Sequence, residues 1–195
     1  MKSVFPLVVA AVLAGTASAA LAHTGEGAAN GFVAGFTHPL FGWDHVAAMV
    51  AVGLWGAFLG RPAIWLLPVT FPLVMAIGGA AGAAGLPLPG VETGIAASAL
   101  VIGLAVLFAA RPPLIIAALI VAFFAVFHGY AHGTEMPGAA NPLSYAAGFV
   151  IATGLLHLCG IVFGLLTRSR AGATAVRAMG GIIAAAGLGF LSGAL

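Results

Sequence analysis

Long apolar segments alternate with short polar breaks along almost the whole chain. After residue 22, six segments are apolar enough and long enough to form helices, and the breaks between them are rich in Gly and Pro or hold an Arg. The segments are residues 32–60, 63–84, 91–110, 113–132, 142–167 and 173–194. A helix needs roughly 20 residues to cross a hydrocarbon core that is about 30 Å thick. The pattern therefore predicts an all-α polytopic membrane protein, a bundle of six transmembrane helices.

The first 22 residues follow a different pattern. Lys2 precedes an apolar run over residues 4–14, and small residues then lead to Ala20-Leu21-Ala22. This order is typical of a cleavable signal peptide. We predict a signal peptide over residues 1–22 and a transmembrane domain over residues 23–195. An uncleaved first transmembrane helix and cleavage after Ala19 are the alternatives.

The arginines provide a separate test of orientation. A cleaved signal peptide leaves the mature N-terminus outside, so the breaks after the first, third and fifth helices face the cytoplasm. Those breaks hold Arg61, Arg111, Arg168 and Arg170, and Arg177 opens the sixth helix on the same side. Basic residues are enriched in cytoplasmic loops. The sequence thus predicts a bacterial inner-membrane protein with both mature termini in the periplasm.

Composition supports lipid as the solvent and excludes other classes of protein. The chain is 63% hydrophobic and 5% charged, with a mean hydropathy of +1.21, whereas a soluble domain has about 25% charged residues. The net charge is only +2 and the basic residues are scattered, so nucleic acid is not an expected partner. The single cysteine, Cys159, can form neither an intrachain disulfide nor a zinc–thiolate site.

Glycine is frequent, and its spacing indicates helix packing. Helices in lipid associate by close backbone approach at small residues. On this ground Gly78, Gly79, Gly82 and Gly85 predict one packing face, and Gly180, Gly181, Gly187 and Gly189 predict another.

Ionisable residues inside the apolar segments gather in two short motifs, of which residues 38–45 are the first. A charged group within a span costs about 2.5–3.5 kcal/mol, so Asp44 indicates a functional site. His38 and His45 would stand about 10 Å apart on an unbroken helix. Pro39 and Gly42 favour a kink that brings them together. Alternatively, Asp44 is a helix N-cap and the histidines form hydrogen bonds between helices.

The second motif covers residues 128–135. His128 and His132 are four residues apart and Glu135 follows, so a continuing helix places all three on one face. Two imidazoles and a carboxylate suit Ni²⁺, Co²⁺, Zn²⁺ or Fe²⁺. Gly129 replaces the glutamate of the H-E-x-x-H protease motif, which excludes that motif. Polar residues at a helix end near water are the alternative.

His157 is alone in the fifth apolar segment. It is either hydrogen-bonded between helices or an inner ligand that passes an ion towards the cytoplasm.

At these residues the chain resembles the HupE/UreJ family of nickel permeases, which is associated with hydrogenase and urease maturation. The resemblance lies in the His-Pro-x-x-Gly-x-Asp-His run at residues 38–45 and the His-Gly-x-Ala-His-Gly-x-Glu run at residues 128–135. It implies transport of nickel, with cobalt as a further substrate, and implies that His38, Asp44 and His45 handle the ion. The first run is also similar to the His-x4-Asp-His signature of nickel/cobalt transporters, but five residues separate His38 from Asp44 here.

The sequence therefore predicts a permease and not an enzyme, with a divalent metal ion as its substrate and no permanently bound cofactor. We hypothesise that the second motif collects the ion at the periplasmic face, that the first strips part of its water, and that the lone histidine passes it inward. The predicted metal-handling residues are His38, Asp44, His45, His128, His132, Glu135 and His157. No Walker-type P-loop is present in the sequence, so ATP hydrolysis is not expected. A metal-dependent intramembrane hydrolase and a metal-binding accessory or sensor protein are the rival interpretations, and a homo-oligomer or a downstream metallochaperone is an open partner.

Overall fold

The computed structural model describes residues 27–138 and 140–195, with side chains from residue 31 onward. All regular secondary structure in these residues is helical, which confirms the all-α class. The helices are α1 (Gly27–Phe41), α2 (Trp43–Leu59), α3 (Ala63–Ala83), α4 (Val91–Leu107), α5 (Leu114–Thr134), α6 (Pro142–Gly164) and α7 (Arg170–Ser192). A 3₁₀ turn, Leu165–Arg168, extends α6. The signal peptide predicted over residues 1–22 lies outside the described residues and stays a prediction, as does the domain boundary at residue 23.

Several helices are long and apolar enough to cross a bilayer. Helices α3, α5 and α7 qualify alone, as does α6 with its 3₁₀ turn, and α1 with α2 qualifies as a bent pair. Helix α4 has 17 residues and so is about 26 Å long, shorter than a hydrocarbon core of about 30 Å. The chain is therefore a multi-pass membrane protein, while the count of six spans stays a prediction.

The first predicted span, residues 32–60, is two helices and not one. Helix α1 ends at Phe41, α2 begins at Trp43, and their axes differ by 80°. Gly42 between them has an extended backbone, with φ −84° and ψ 102°. Pro39 in the last turn of α1 lacks an N–H, which weakens the helix just before the break. The kink expected from Pro39 and Gly42 is thus present. Such irregular backbone is tolerated at membrane depth where it lines the protein interior or a cavity.

Glycines let the helix backbones approach each other closely. An added Cβ on Gly53 of α2 would overlap the carbonyl oxygen of His157 in α6, and one on Gly160 would overlap that of Val50 in α2. The same reciprocal contact joins α1 to α6, α3 to α5 and α4 to α7. The bundle is therefore a set of helix pairs in backbone contact, as expected where lipid supplies no hydrophobic drive for association.

Five of the eight glycines expected at packing faces lie against the backbone of a neighbouring helix, namely Gly78, Gly79 and Gly82 against α5 and Gly180 and Gly187 against α4. An added Cβ on Gly181 would meet only the side chain of Leu107, and one on Gly189 only that of Leu195. Gly85 differs, because no described atom lies within 4 Å of an added Cβ and its φ is +70°. Its role is to end α3 in a left-handed conformation that other residues adopt poorly.

Two contacts place arginines at one end of the bundle. The guanidinium carbon of Arg111 lies 4.5 Å from the ring centre of Phe58, near the end of α2. Arg177 Nε donates to the carbonyl oxygen of Leu107 at 2.8 Å, at the end of α4. Asp44 is at the opposite end of α2, whose 17 residues extend about 26 Å. The arginines and the first histidine motif thus lie at opposite ends, as the predicted orientation requires. The inner membrane and the periplasmic termini stay predictions.

Two glycines of α6 provide a matched test of this packing. We expect Gly160→Ala to lower the free energy of unfolding by about 1–3 kcal/mol, because its methyl group overlaps the α2 backbone. Gly154→Ala should be neutral or slightly stabilising, since nothing described lies within 4 Å of its added Cβ and alanine favours helix. Thermal unfolding of the detergent-solubilised protein, followed by circular dichroism, measures both. Equal unfolding temperatures for the two variants would contradict the packing assignment.

Candidate metal site

Four imidazoles from three helices meet beside the break between α1 and α2. The ring centre of His45 is 4.7 Å from that of His128 and 4.7 Å from that of His132. The ring centre of His38 is 4.7 Å from that of His132 and 6.4 Å from that of His45. Two imidazoles on one ion, with bonds near 2.1 Å, have ring centres about 5 Å apart. We call these four residues the histidine cluster, and its ring spacing suits a shared ion.

Three members of the cluster are buried and carry unpartnered nitrogens. The exposed fractions of His45, His128 and His132 are 7%, 0% and 3%. Buried polar atoms are nearly always hydrogen-bonded. Within the described part of the chain, no hydrogen-bond partner exists for His45 Nε2, His128 Nδ1 or either ring nitrogen of His132. These nitrogens are therefore candidates for binding a ligand.

The cluster is not a finished coordination sphere. Among residues 27–138 and 140–195, no group of three His, Cys, Asp or Glu side chains is placed so that it could hold a metal ion. The rings are neighbours, but their nitrogen atoms do not converge on one point. Binding of one ion by three cluster residues therefore requires rotation of side chains.

Asp44 orients His45. Its Oδ1 accepts the backbone N–H of His45 at 2.8 Å and lies 2.9 Å from His45 Nδ1. The structure places Asp44 in the first turn of α2, whereas the N-cap is Gly42 and has no side-chain cap. A carboxylate is favourable at this end of a helix because the amide dipoles present positive charge there.

Glu135 connects the two motifs. Helix α5 ends at Thr134, so Glu135 is the residue that caps it and is not part of a continuing helix. Its Oε2 lies 2.9 Å from Nε2 of His38 in α1, and its side chain is 48% exposed. The carboxylate therefore reaches the cluster from its exposed side.

A cavity of about 540 Å³ opens beside these residues. Its polar lining consists mainly of imidazoles and carboxylates, namely His38, Asp44, His45, Glu92 and Glu135. Glu92 lies in the first turn of α4 and in neither histidine motif, so the sequence does not indicate that it belongs to the site. Three carboxylates around one cavity make it attractive to cations.

His157 lies apart from the cluster. It is 1% exposed, and within the described residues neither of its ring nitrogens has a hydrogen-bond partner. The ring of Phe71 contacts both sites, with its centre 5.2 Å from that of His128 and 5.4 Å from that of His157. Thr153, one turn before His157, also has a buried oxygen without a described partner. The structure thus brings six of the seven predicted residues to one region, and the seventh, His157, shares with His128 a contact to Phe71.

Ser98 of α4 is a further contact of the cluster that the sequence did not indicate. Its Oγ lies 2.9 Å from His128 Nε2 and donates to the carbonyl oxygen of Ile95 at 2.6 Å. A lone serine in an apolar helix gives no signal in sequence, because its partner is 30 residues away.

Comparison with known proteins covers nearly the whole chain. The family model described as HupE / UreJ protein matches residues 10–190. The chain is 44% identical over 182 residues to Protein HupE of Rhizobium leguminosarum bv. viciae, an alignment that covers 93% of this chain and 95% of that protein. No solved structure matches. The resemblance seen in the two motifs is thereby confirmed, and the chain belongs to the HupE/UreJ family.

Proposed function

We propose that this protein is a permease that carries a divalent transition-metal ion, with nickel as the first candidate, across the bacterial inner membrane. Membership of the HupE/UreJ family, which is associated with nickel handling for hydrogenase and urease, supports a role in supplying one of these enzymes. The observation that carries the proposal is the histidine cluster beside a cavity with three carboxylates, within a chain of apolar helices. Carboxylate oxygens thus line the open cavity, and imidazole nitrogens lie in the buried cluster beside it.

Capture of the ion is assigned to the cavity. Its carboxylates, Glu92, Glu135 and Asp44, attract a divalent cation from the periplasm. A shell of six waters occupies roughly 180 Å³, at about 30 Å³ per water, which is well within the cavity of about 540 Å³. The ion can therefore enter with its water.

Partial dehydration is assigned to the histidine cluster. Imidazole nitrogens bind Ni²⁺, Co²⁺ and Zn²⁺ well, whereas Mg²⁺ and Ca²⁺ prefer oxygen ligands. The unpartnered nitrogens of His45, His128 and His132 replace part of the hydration shell. Such a site must bind the ion well enough to remove water and weakly enough to release it.

The inward step leads from His128 past Phe71 to His157. The Phe71 ring contacts both imidazoles, so we assign it as the side chain past which the ion moves. His157 then offers a single imidazole, which holds the ion less firmly than the cluster.

The membrane potential is a sufficient energy source. A divalent ion that moves down 100 mV gains about 4.6 kcal/mol, at 2.3 kcal/mol per charge, or roughly a thousandfold accumulation. Neither ATP hydrolysis nor a second coupled ion is required for uptake of this size.

The contact between Ser98 and His128 raises a different enzyme from the metal-dependent hydrolase considered above, namely a hydrolase with a serine nucleophile. A serine nucleophile must give its proton to the histidine and must be open to substrate. Ser98 instead donates its proton to the carbonyl of Ile95, and it is 0% exposed. The pair therefore lacks the arrangement of a nucleophile and its base.

Metal flux tests the proposal directly. Purified protein in proteoliposomes should take up ⁶³Ni²⁺, and Asp44→Ala and His45→Ala should each reduce the initial rate at least tenfold. Both variants should insert normally, since they remove polar groups beside a cavity. Trp43→Ala is the matched control, because Trp43 adjoins Asp44 but is 74% exposed, and its rate should stay near the wild-type value. Nickel binding without flux in the wild-type protein would favour the accessory or sensor interpretation.

Competition between cations tests the ligand chemistry. Co²⁺ and Zn²⁺ in tenfold excess should inhibit ⁶³Ni²⁺ uptake strongly, because they share the preference for imidazole. The same excess of Mg²⁺ should inhibit little, because Mg²⁺ keeps its water and its oxygen ligands. Equal inhibition by Mg²⁺ and Co²⁺ would show that the histidines do not select the ion.

A potassium gradient with valinomycin tests the driving force. A potential that is negative inside should raise the final internal Ni²⁺ concentration, and a reversed potential should lower it, because the transported species carries two positive charges. The measurement is the steady-state ratio of ⁶³Ni²⁺ inside to outside at several set potentials and at equal pH. A ratio that does not change with the potential would exclude uncoupled movement of a charged ion.

A further inference from the structure

Ser98 stands behind the histidine cluster on α4 and makes two hydrogen bonds at once. We propose that Ser98 is a positioning residue, which holds His128 as the Nε2–H tautomer and so keeps the Nδ1 lone pair free for the transported ion. This inference rests on the proposed function. It assigns a residue outside both motifs to the metal site.

The direction of the two hydrogen bonds follows from their partners. A carbonyl oxygen can only accept, so the 2.6 Å contact between Ser98 Oγ and the carbonyl of Ile95 uses the hydroxyl proton. A serine hydroxyl has one proton, and none remains for His128. The 2.9 Å contact between Ser98 Oγ and His128 Nε2 must therefore use a proton on the imidazole.

The tautomer of His128 follows in turn. A neutral imidazole has one N–H and one lone pair, so a proton on Nε2 leaves the lone pair on Nδ1. His128 Nδ1 is buried and has no hydrogen-bond partner among the described residues. The atom left free by Ser98 is thus the nitrogen that is available to an ion.

His45 shows the same logic with a different partner. The carboxylate of Asp44 lies 2.9 Å from His45 Nδ1 and accepts a hydrogen bond from its N–H. His45 Nε2 is the nitrogen without a described partner. Hydrogen bonding of one ring nitrogen by a second group is the usual way in which proteins orient a metal-binding histidine. Asp44 and Ser98 therefore have equivalent positions behind two adjacent imidazoles, whose ring centres are 4.7 Å apart.

A purely structural role for Ser98 predicts different behaviour. Ser192 of α7 makes the same bond to the carbonyl three residues earlier, to Gly189 at 3.0 Å, and is exposed. If Ser98 only satisfied its own hydroxyl in this way, its loss would leave the ring of His128 unchanged. Ser192→Ala is therefore the matched control for Ser98→Ala.

The experiment reads the tautomer and the affinity separately. Protein labelled with ¹⁵N-histidine is purified without metal, and the His128 signals are assigned by their loss in His128→Gln. We expect the wild-type protein to show a protonated Nε2 and a lone-pair Nδ1, and Ser98→Ala to show a mixture of both tautomers. The Kd for Ni²⁺ in Ser98→Ala should rise about 10-fold to 100-fold, while Ser192→Ala should match wild type in both measurements.

Two results would overturn the role of Ser98. One is a wild-type spectrum with the proton of His128 on Nδ1, a measurement that needs no variant to fold. The other is a folded Ser98→Ala protein with unchanged tautomer and unchanged Kd for Ni²⁺. Failure of the proposed function has another signature, namely absence of ⁶³Ni²⁺ flux in the wild-type protein. Wild-type flux together with an unaffected Ser98→Ala would overturn the role of Ser98 alone.

Discussion

Close backbone contact between α3 and α5 is the constraint on which the candidate site depends. In lipid, helices gain little from burying apolar surface, so they are held by contact at small residues. An added Cβ on Gly129 would overlap the carbonyl oxygen of Met75, and one on Gly133 would overlap that of Gly79. Each of these glycines directly follows a histidine of the cluster. The repeated His-Gly pair therefore has two functions: the glycine fixes α5 against α3, and the histidine, about 100° around the helix, faces α2.

The break at Gly42 is the second requirement of the site, because it brings the first two histidines of the cluster together. A straight helix over residues 32–60 would keep His38 and His45 about 10 Å apart, whereas the bend leaves their ring centres 6.4 Å apart. The bend also leaves irregular backbone beside the cavity, where it is tolerated. Buried imidazoles without partners cost free energy. They persist here because glycine contacts on the other side of the same helices hold the backbone in place.

Sequence predicted the parts of this arrangement that depend on local chemistry. The hydropathy pattern located the helices, and Pro39 with Gly42 predicted the kink beside Asp44. The contacts of Ser98 and Phe71 could not be predicted, because they depend on which helices are neighbours and how each is rotated about its axis. Serine and phenylalanine are ordinary in apolar helices, so neither residue stands out before the helices are assembled. Gly85 is the opposite case. Its spacing predicted a packing contact, but its positive φ shows that it ends a helix instead.

Under the proposed function, the two imidazole sites are successive positions for a transported ion. A permanent site gains affinity from three or four ligands that converge on one point. The histidine cluster offers neighbouring rings whose nitrogens do not yet converge, and His157 offers one imidazole in contact with Phe71. Conduction requires sites that bind well enough to remove water but weakly enough to release the ion to the next site. In the proposed pathway the ion would move from four clustered imidazoles past Phe71 to the single imidazole of His157, and a series of decreasing affinity would give it a direction in which to leave.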